Sequence, residues 1–123
     1  MRISNENIQS AATDMAQSFN MRAIYLGHIA QYAIQLVFTG APVGTFKLQC
    51  SNDAGKPNAE SKAEQSASVV NWTDIASSSS AISVAGNITW NAENVGYLWV
   101  RVVYTRTSGT GSVTVANANM KGV

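Results

Sequence analysis

The chain has 123 residues, a formal net charge of +1 and 12% charged residues, which by length is one domain and by charge about half the globular average. Its basic residues, Arg2, Arg22, Lys47, Lys56, Lys62, Arg101, Arg106 and Lys121, are scattered, which argues against a nucleic-acid partner, since that requires a clustered basic face. A single cysteine excludes an internal disulfide framework, and no apolar run approaches the roughly 20 residues of a bilayer span, so no membrane partner is expected.

Residues 1–18 are polar, free of aromatics, and without clean alternation. Ile3, Ile8 and Met15 are too loosely spaced for a stable amphipathic face, so the segment reads as an extended N-terminal arm with at most a short helical turn around 7–16. Two roles are open to it: a frayed terminus, or an arm that orders on a partner. Met1-Arg2 is followed by polar residues rather than an apolar core, so no secretion signal is expected. The sequons Asn71-Trp72-Thr73 and Asn87-Ile88-Thr89 are then chance matches.

From Phe19 the pattern is β. Residues 19–26 have strand character, ended by Gly27-His28. Tyr32, Ile34, Leu36 and Phe38 alternate and so share one face. Thr39 to Gly44 form a Gly/Pro turn, and Phe46, Leu48 and Cys50 point inward from the return strand. Residues 51–69 are the longest loop candidate, with one helix-compatible stretch over 59–65. A strand resumes over 69–75, Ser77 to Ser80 link, and short strands follow at 81–85 and 86–90. Tyr97 to Thr105 is the strongest strand: Leu98, Val100, Val102 and Tyr104 share one face, and Tyr97, Trp99, Arg101 and Val103 the other. After a turn at 108–111, Ser112 to Asn119 closes the chain with Val113 and Val115 inward. Two stretches read as one hairpin written twice: Val37-Phe38-Thr39 with Gly44-Thr45-Phe46, and Val103-Tyr104-Thr105 with Gly111-Ser112-Val113; the second has one more residue between aromatic and glycine (Tyr104 to Gly111 against Phe38 to Gly44), so two similar corners of one sandwich, in different sheets or at different ends, are the other reading. About eight strands with closely spaced turns predict an all-β fold, an antiparallel two-sheet sandwich, jelly-roll-like, occupying residues 19–123 as a single domain.

Chemistry-bearing groups are sparse. His28 and Cys50 are the sole histidine and cysteine and cannot close a zinc site, which takes three or four such ligands. Neither a nucleophile elbow nor a phosphate loop is present. Asn52-Asp53 and Asn71 with Asp74 read as Asx turns before they read as calcium ligands, and Cys50 as a small buried hydrophobe. No catalytic residue, metal or cofactor is expected, and the protein reads as a non-enzyme. Tyr97, Trp99 and Arg101 have the composition of an interface. They equally suit a sugar-stacking platform, or packing beneath a loop or the arm.

The segments Leu36-Val37-Phe38-Thr39-Gly40-Ala41-Pro42-Val43-Gly44-Thr45-Phe46-Lys47-Leu48-Gln49, Ser51-Asn52-Asp53, Trp72-Thr73-Asp74-Ile75 and Val100 to Gly111 resemble the small jelly-roll-like β-sandwich virion proteins of tailed bacteriophages, similar to capsid decoration (cement) proteins. The resemblance covers roughly residues 19–118. It implies a structural protein that binds the exterior of an assembled capsid, with the major capsid protein as partner and a homo-oligomer, dimer or trimer, as its form. It also implies synthesis in the host cytoplasm and no catalytic residues. Candidate interface residues are then Tyr97, Trp99 and Arg101 on the sandwich and Ile3, Ile8 and Met15 on the arm. The alternative is a carbohydrate-binding or adhesion module of a phage tail or fibre, for which open Trp99 and Tyr97 rings would be the mark.

Overall fold

Alternating apolar and polar residues make strands with one wet and one dry face, and the structure pairs the dry faces. The computed structural model describes residues 3–9, 11–27, 29–53 and 69–122; His28 and the helix-compatible stretch 59–65 lie outside them. The strands are β1 (Ile3–Asn7), β2 (Thr13–Asp14), β3 (Phe19–Asn20), β4 (Ile24–Tyr25), β5 (Ile29–Gly40), β6 (Val43–Ser51), β7 (Thr73–Asp74), β8 (Ser80–Ile82), β9 (Gly86–Ala92), β10 (Trp99–Ser108) and β11 (Gly111–Gly122). They form a five-stranded sheet in the order β1-β11-β5-β9, with β2 also on β11. The second sheet is six-stranded, in the order β3-β10-β6-β7, with β4 on β10 and β8 on β6. Every pairing is antiparallel. The all-β sandwich is as expected, with more strands than eight. The extra ones are short: residues 19–26 split into β3 and β4, and the N-terminal segment adds β1 and β2.

The core lies between the sheets. Ile34, Leu36, Phe38, Val113, Ala116 and Ala118 face it from one side, and Phe46, Leu48, Val100, Val102 and Tyr104 from the other. Phe46 is central, with its ring 4.7 Å from Tyr104 and 5.5 Å from Phe38.

Three expectations change. First, the described residues of 3–15 are not a free arm. β1 zips onto β11 from Ile3 opposite Lys121 to Asn7 opposite Asn117, and Ile8 N–H and Met15 N–H donate to Ala116 and Gly111 carbonyls, both at 2.9 Å. Ile8 and Met15 are 2% and 0% exposed; each burial is worth roughly 1.5–3 kcal/mol, which ties the segment down. No helical turn forms among the described residues of 7–16.

Second, of the two readings of the twinned motifs, the structure has corners and not hairpins. β5 and β6 belong to different sheets, as do β10 and β11, so each turn carries the chain from one sheet to the other. The two corners sit side by side: Gly40 is opposite Gly111, Arg106 opposite Gly44, and Ala41 N–H donates to the Thr110 carbonyl at 2.9 Å. Each has a glycine at positive φ, Gly40 at 87° and Gly109 at 75°, where a side chain would be strained.

Third, Val115 does not continue the inward row begun by Val113. A bulge between Val113 and Val115 inserts one residue, and one extra residue reverses the facing of all that follow. Ala116, Ala118 and Met120 are therefore the buried set.

Candidate functional site

The outer face of the six-stranded sheet carries two of the three sandwich residues singled out in the sequence, Trp99 and Arg101, whereas Tyr97, just ahead of β10, packs against the core between the sheets. β10 and β6 bring Trp99 opposite Ser51, Arg101 opposite Gln49 and Val103 opposite Lys47. Trp99 is only 1% exposed. Tyr25 covers its ring, the centroids 5.0 Å apart, and its indole N–H donates to the Asp53 carbonyl at 3.1 Å. Arg101 is half-buried; its Nε and Nη2 both donate to Gln49 Oε1, at 2.9 and 2.7 Å, and its guanidinium lies 4.2 Å from the Trp72 ring centroid. Burial alone lowers the Arg101 pKa. The Tyr97 hydroxyl pairs with that of Tyr32, and burial pushes both phenols up.

Asp74 closes this network. It accepts from Gln49 Nε2 at 2.9 Å and Lys47 Nζ at 3.0 Å, and these contacts, Gln49 first, hold its carboxyl below the usual range. Asp53 accepts from the backbone N–H groups of Asn71 and Val70, at 2.9 and 2.8 Å, and from the Asn71 side chain. Those bonds likewise lower its pKa. Both acids thus act as turn and loop anchors. Among the described residues no group of three or more His, Cys, Asp or Glu could hold a metal ion. Burial raises the Cys50 thiol, away from the thiolate that nucleophilic chemistry needs.

All three tryptophans hold loops rather than present open rings. Trp72 Nε1–H donates to the Val69 carbonyl at 3.2 Å and Trp90 Nε1–H to the Ser78 carbonyl at 2.8 Å, as Trp99 does to Asp53. Of the six singled-out residues, Ile8, Met15 and Trp99 are enclosed by this chain itself; Tyr97 and Arg101 are half-buried; Ile3, at 67%, is exposed. They form no single patch: Ile3 is on an edge strand of one sheet, Trp99 and Arg101 in the interior of the other.

The face that sequence reasoning missed is the outside of the five-stranded sheet. Register places Asn7, Asn117, Gln35 and Thr89 in one row across β1, β11, β5 and β9, and Asn5, Asn119, Ala33 and Asn91 in the next. Asn5 Nδ2–H donates to Asn119 Oδ1 at 2.7 Å. Where Ala33 interrupts the amides the surface dips. A hollow of about 280 Å³ is lined by Asn5, Ala33, Gln35, Thr89, Asn117 and Asn119. A smaller one, about 130 Å³, continues past Ala33 and Asn119 toward Gln31, Asn91 and Lys121. The sequence signal was the alternation of Asn117 with Asn119 and of Asn87, Thr89 and Asn91, whose convergence needs the pairing of four strands.

No family model matches the chain, and no curated protein matches it in sequence. Among solved structures it is similar in fold to the SPBc2 prophage-derived protein YomS, with a TM-score of 0.54 and 13% identity over 97% of this chain and 92% of that one. It is also similar to a chain in the structure of infectious bursal disease virus, Gt strain, with a TM-score of 0.51 and 8% identity over 98% of this chain but only 32% of that one.

Proposed function

We propose that the protein is a structural component of a bacteriophage virion, and within it a decoration protein on the capsid exterior. The observation that carries this reading is the end-to-end likeness in fold to a prophage-derived protein, at 97% and 92% coverage, joined by the likeness to a chain of a virus. The sequence resemblance to phage β-sandwich virion proteins points the same way. The role is mechanical rather than catalytic: the major capsid protein is the partner, the protein acts as a dimer or trimer, and it adds buried area across capsid subunit boundaries. A standard interface of about 1,600 Å² in total, repeated over a shell, makes modest contacts collectively stabilising. Low charge limits repulsion between crowded copies. Of the candidate interface residues, Ile3 is exposed and Arg101 and Tyr97 are half-buried, so these are the ones a neighbour can reach.

Mass spectrometry of purified virions tests the location: hundreds of copies per particle support the capsid, and a handful would place the protein in the tail. DNA release on heating, compared between particles with and without the protein, tests the role. Earlier release without it is expected, and equal release would remove the cement function. The rival sugar-stacking module rested on Trp99 and Tyr97, and Trp99 is covered by Tyr25 while Tyr97 is bonded to Tyr32.

A further inference from the structure

We propose that the amide face of the five-stranded sheet binds a neutral glycan, with the hollow over Ala33 as its seat. The chemistry of the lining selects this occupant. Each primary amide offers two donors and an acceptor oxygen with two lone pairs, the complement of a sugar hydroxyl, which both donates and accepts. Asn5 and Asn119 hold one another through a 2.7 Å bond, so two amides are oriented before anything binds. Gln35, Thr89, Asn91 and Asn117 make no side-chain hydrogen bond among the described residues, which leaves their donors and acceptors for a ligand. Ala33 exposes only a methyl group as the floor between them, room for the C–H face of a sugar ring.

The same lining disfavours the other occupants. A nucleic acid or anionic polymer needs cations to neutralise phosphates, and the hollows have only Lys121, at the far end of the smaller one. A second protein copy would seek aromatic or apolar anchors at the centre, and the centre here is Ala33 ringed by amides. An ionic ligand seated over Ala33 would lose its hydration in a hollow lined by no charged side chain. A neutral polyhydroxyl carries no such penalty. The seat over Ala33 is lined by no aromatic ring, and neither hollow uses a residue of the opposite sheet, so the site is compatible with either location on a virion.

The experiment is a proton–nitrogen NMR titration of the full chain with three neutral probes: maltohexaose, isomaltohexaose and hexa-N-acetylchitohexaose. At least one should shift the side-chain amide signals of Gln35, Asn117 and Asn119 in a saturable way, with a Kd of about 1 mM, as weak as about −4 kcal/mol allows. Ala33→Phe, which fills the hollow, and Asn117→Ala, which removes an amide without adding bulk, should each weaken that Kd at least about tenfold while leaving the melting temperature near that of the parent. Three results would overturn the proposal: no amide shift with any probe at about 20 mM; shifts confined to Trp72 and Arg101; or ligand-free, concentration-dependent broadening of these amides, which would give the face to a second copy.

Discussion

At the scale of single residues, the tightest constraints lie where the two corners meet and where a polar atom is left without a partner. The Tyr104 hydroxyl is buried and has no hydrogen-bond partner among the described residues, and it lies over Gly44, whose lack of a Cβ makes room for it. An unsatisfied buried hydroxyl costs about 1–3 kcal/mol. Tyr104→Phe is therefore expected to be neutral or stabilising by about 1 kcal/mol, read as an unchanged or higher melting temperature; a clear fall would mean the hydroxyl has a role. Gly109 is the reverse case. Its φ is 75° and a Cβ there would collide with the Ala41 carbonyl of the neighbouring corner. Gly109→Ala should cost at least about 2 kcal/mol, since backbone strain and overpacking add, measurable by denaturant unfolding. Asp53 gives a pH dependence. Bonds from Asn71 and Val70 lower its folded pKa, so its contribution is present above the unfolded value of about 3.9 and is lost as pH falls through the lower, folded value. The loop at 69–72 should therefore loosen below about pH 4, seen in tryptophan emission as Trp72 leaves Arg101. Asp53→Asn should flatten that transition, and Asp74→Asn, which removes the other depressed carboxyl of this face, should remove a separate part of it.

At the scale of elements, β1 shows what could and could not be read before the fold was known. The residues of β1 have exposed or half-buried side chains, and polar alternation at an edge looks the same in sequence as an unpaired arm, because a strand's hydrogen bonds leave no trace in its own composition. Only Ile8 and Met15 reveal that the segment is tied to the core, and their sequence spacing fits no single period. Substitution separates the two descriptions: Ile8→Ala should cost about 2–4 kcal/mol, whereas Ile3→Ala should stay within about 0.5 kcal/mol. Equal effects on chemical denaturation would show that the segment is not docked. The central strands were legible for the opposite reason. β5, β6 and β10 are half-in, half-out with period two, so Tyr32 to Phe38, Phe46 with Leu48, and Val100 to Tyr104 declared their faces directly. What one strand cannot declare is which sheet its neighbour joins. The same aromatic-Thr and glycine signature serves a hairpin and a corner, so the sequence leaves both readings open and only the sheet order chooses the corner. The bulge in β11 was invisible for a related reason: Val113, Thr114 and Val115 alternate as any strand does, and only pairing to Phe38 and Val37 exposes the extra residue. The amide face was illegible for all these reasons together, since its rows are drawn from four strands far apart in sequence.

At the scale of the whole molecule, the first described strand is held by the last. β11 pairs with β1, β2 and β5 and contributes Val113, Ala116, Ala118 and Met120 to the core. The five-stranded sheet therefore cannot close until the C-terminal strand arrives, and its partners span nearly the full chain. Loop-closure entropy opposes such pairings before burial rewards them, so folding belongs to the slow, millisecond-to-second regime of non-local β-sandwiches. The consequence is asymmetric. Removing residues 3–7 strips one edge strand with exposed side chains and should leave a folded, less stable sandwich. Removing 111–122 unpairs three strands at once and exposes the inner face of β5, so that variant should be unfolded or aggregated, an exposed apolar strand edge being an aggregation hazard. Proton NMR dispersion and analytical ultracentrifugation of both truncations test this directly. If the chain lacking 111–122 stayed folded and monomeric, the sheet order β1-β11-β5-β9 could not be the one that holds the protein together. The two corners make the same demand from the other end: β10 must lie on β6 for Arg106 to meet Gly44, and β11 must lie on β5 for Gly111 to meet Gly40. One local geometry thus couples the closure of both sheets, and a single cooperative unfolding transition is expected for the parent chain, with circular dichroism and tryptophan emission following the same curve.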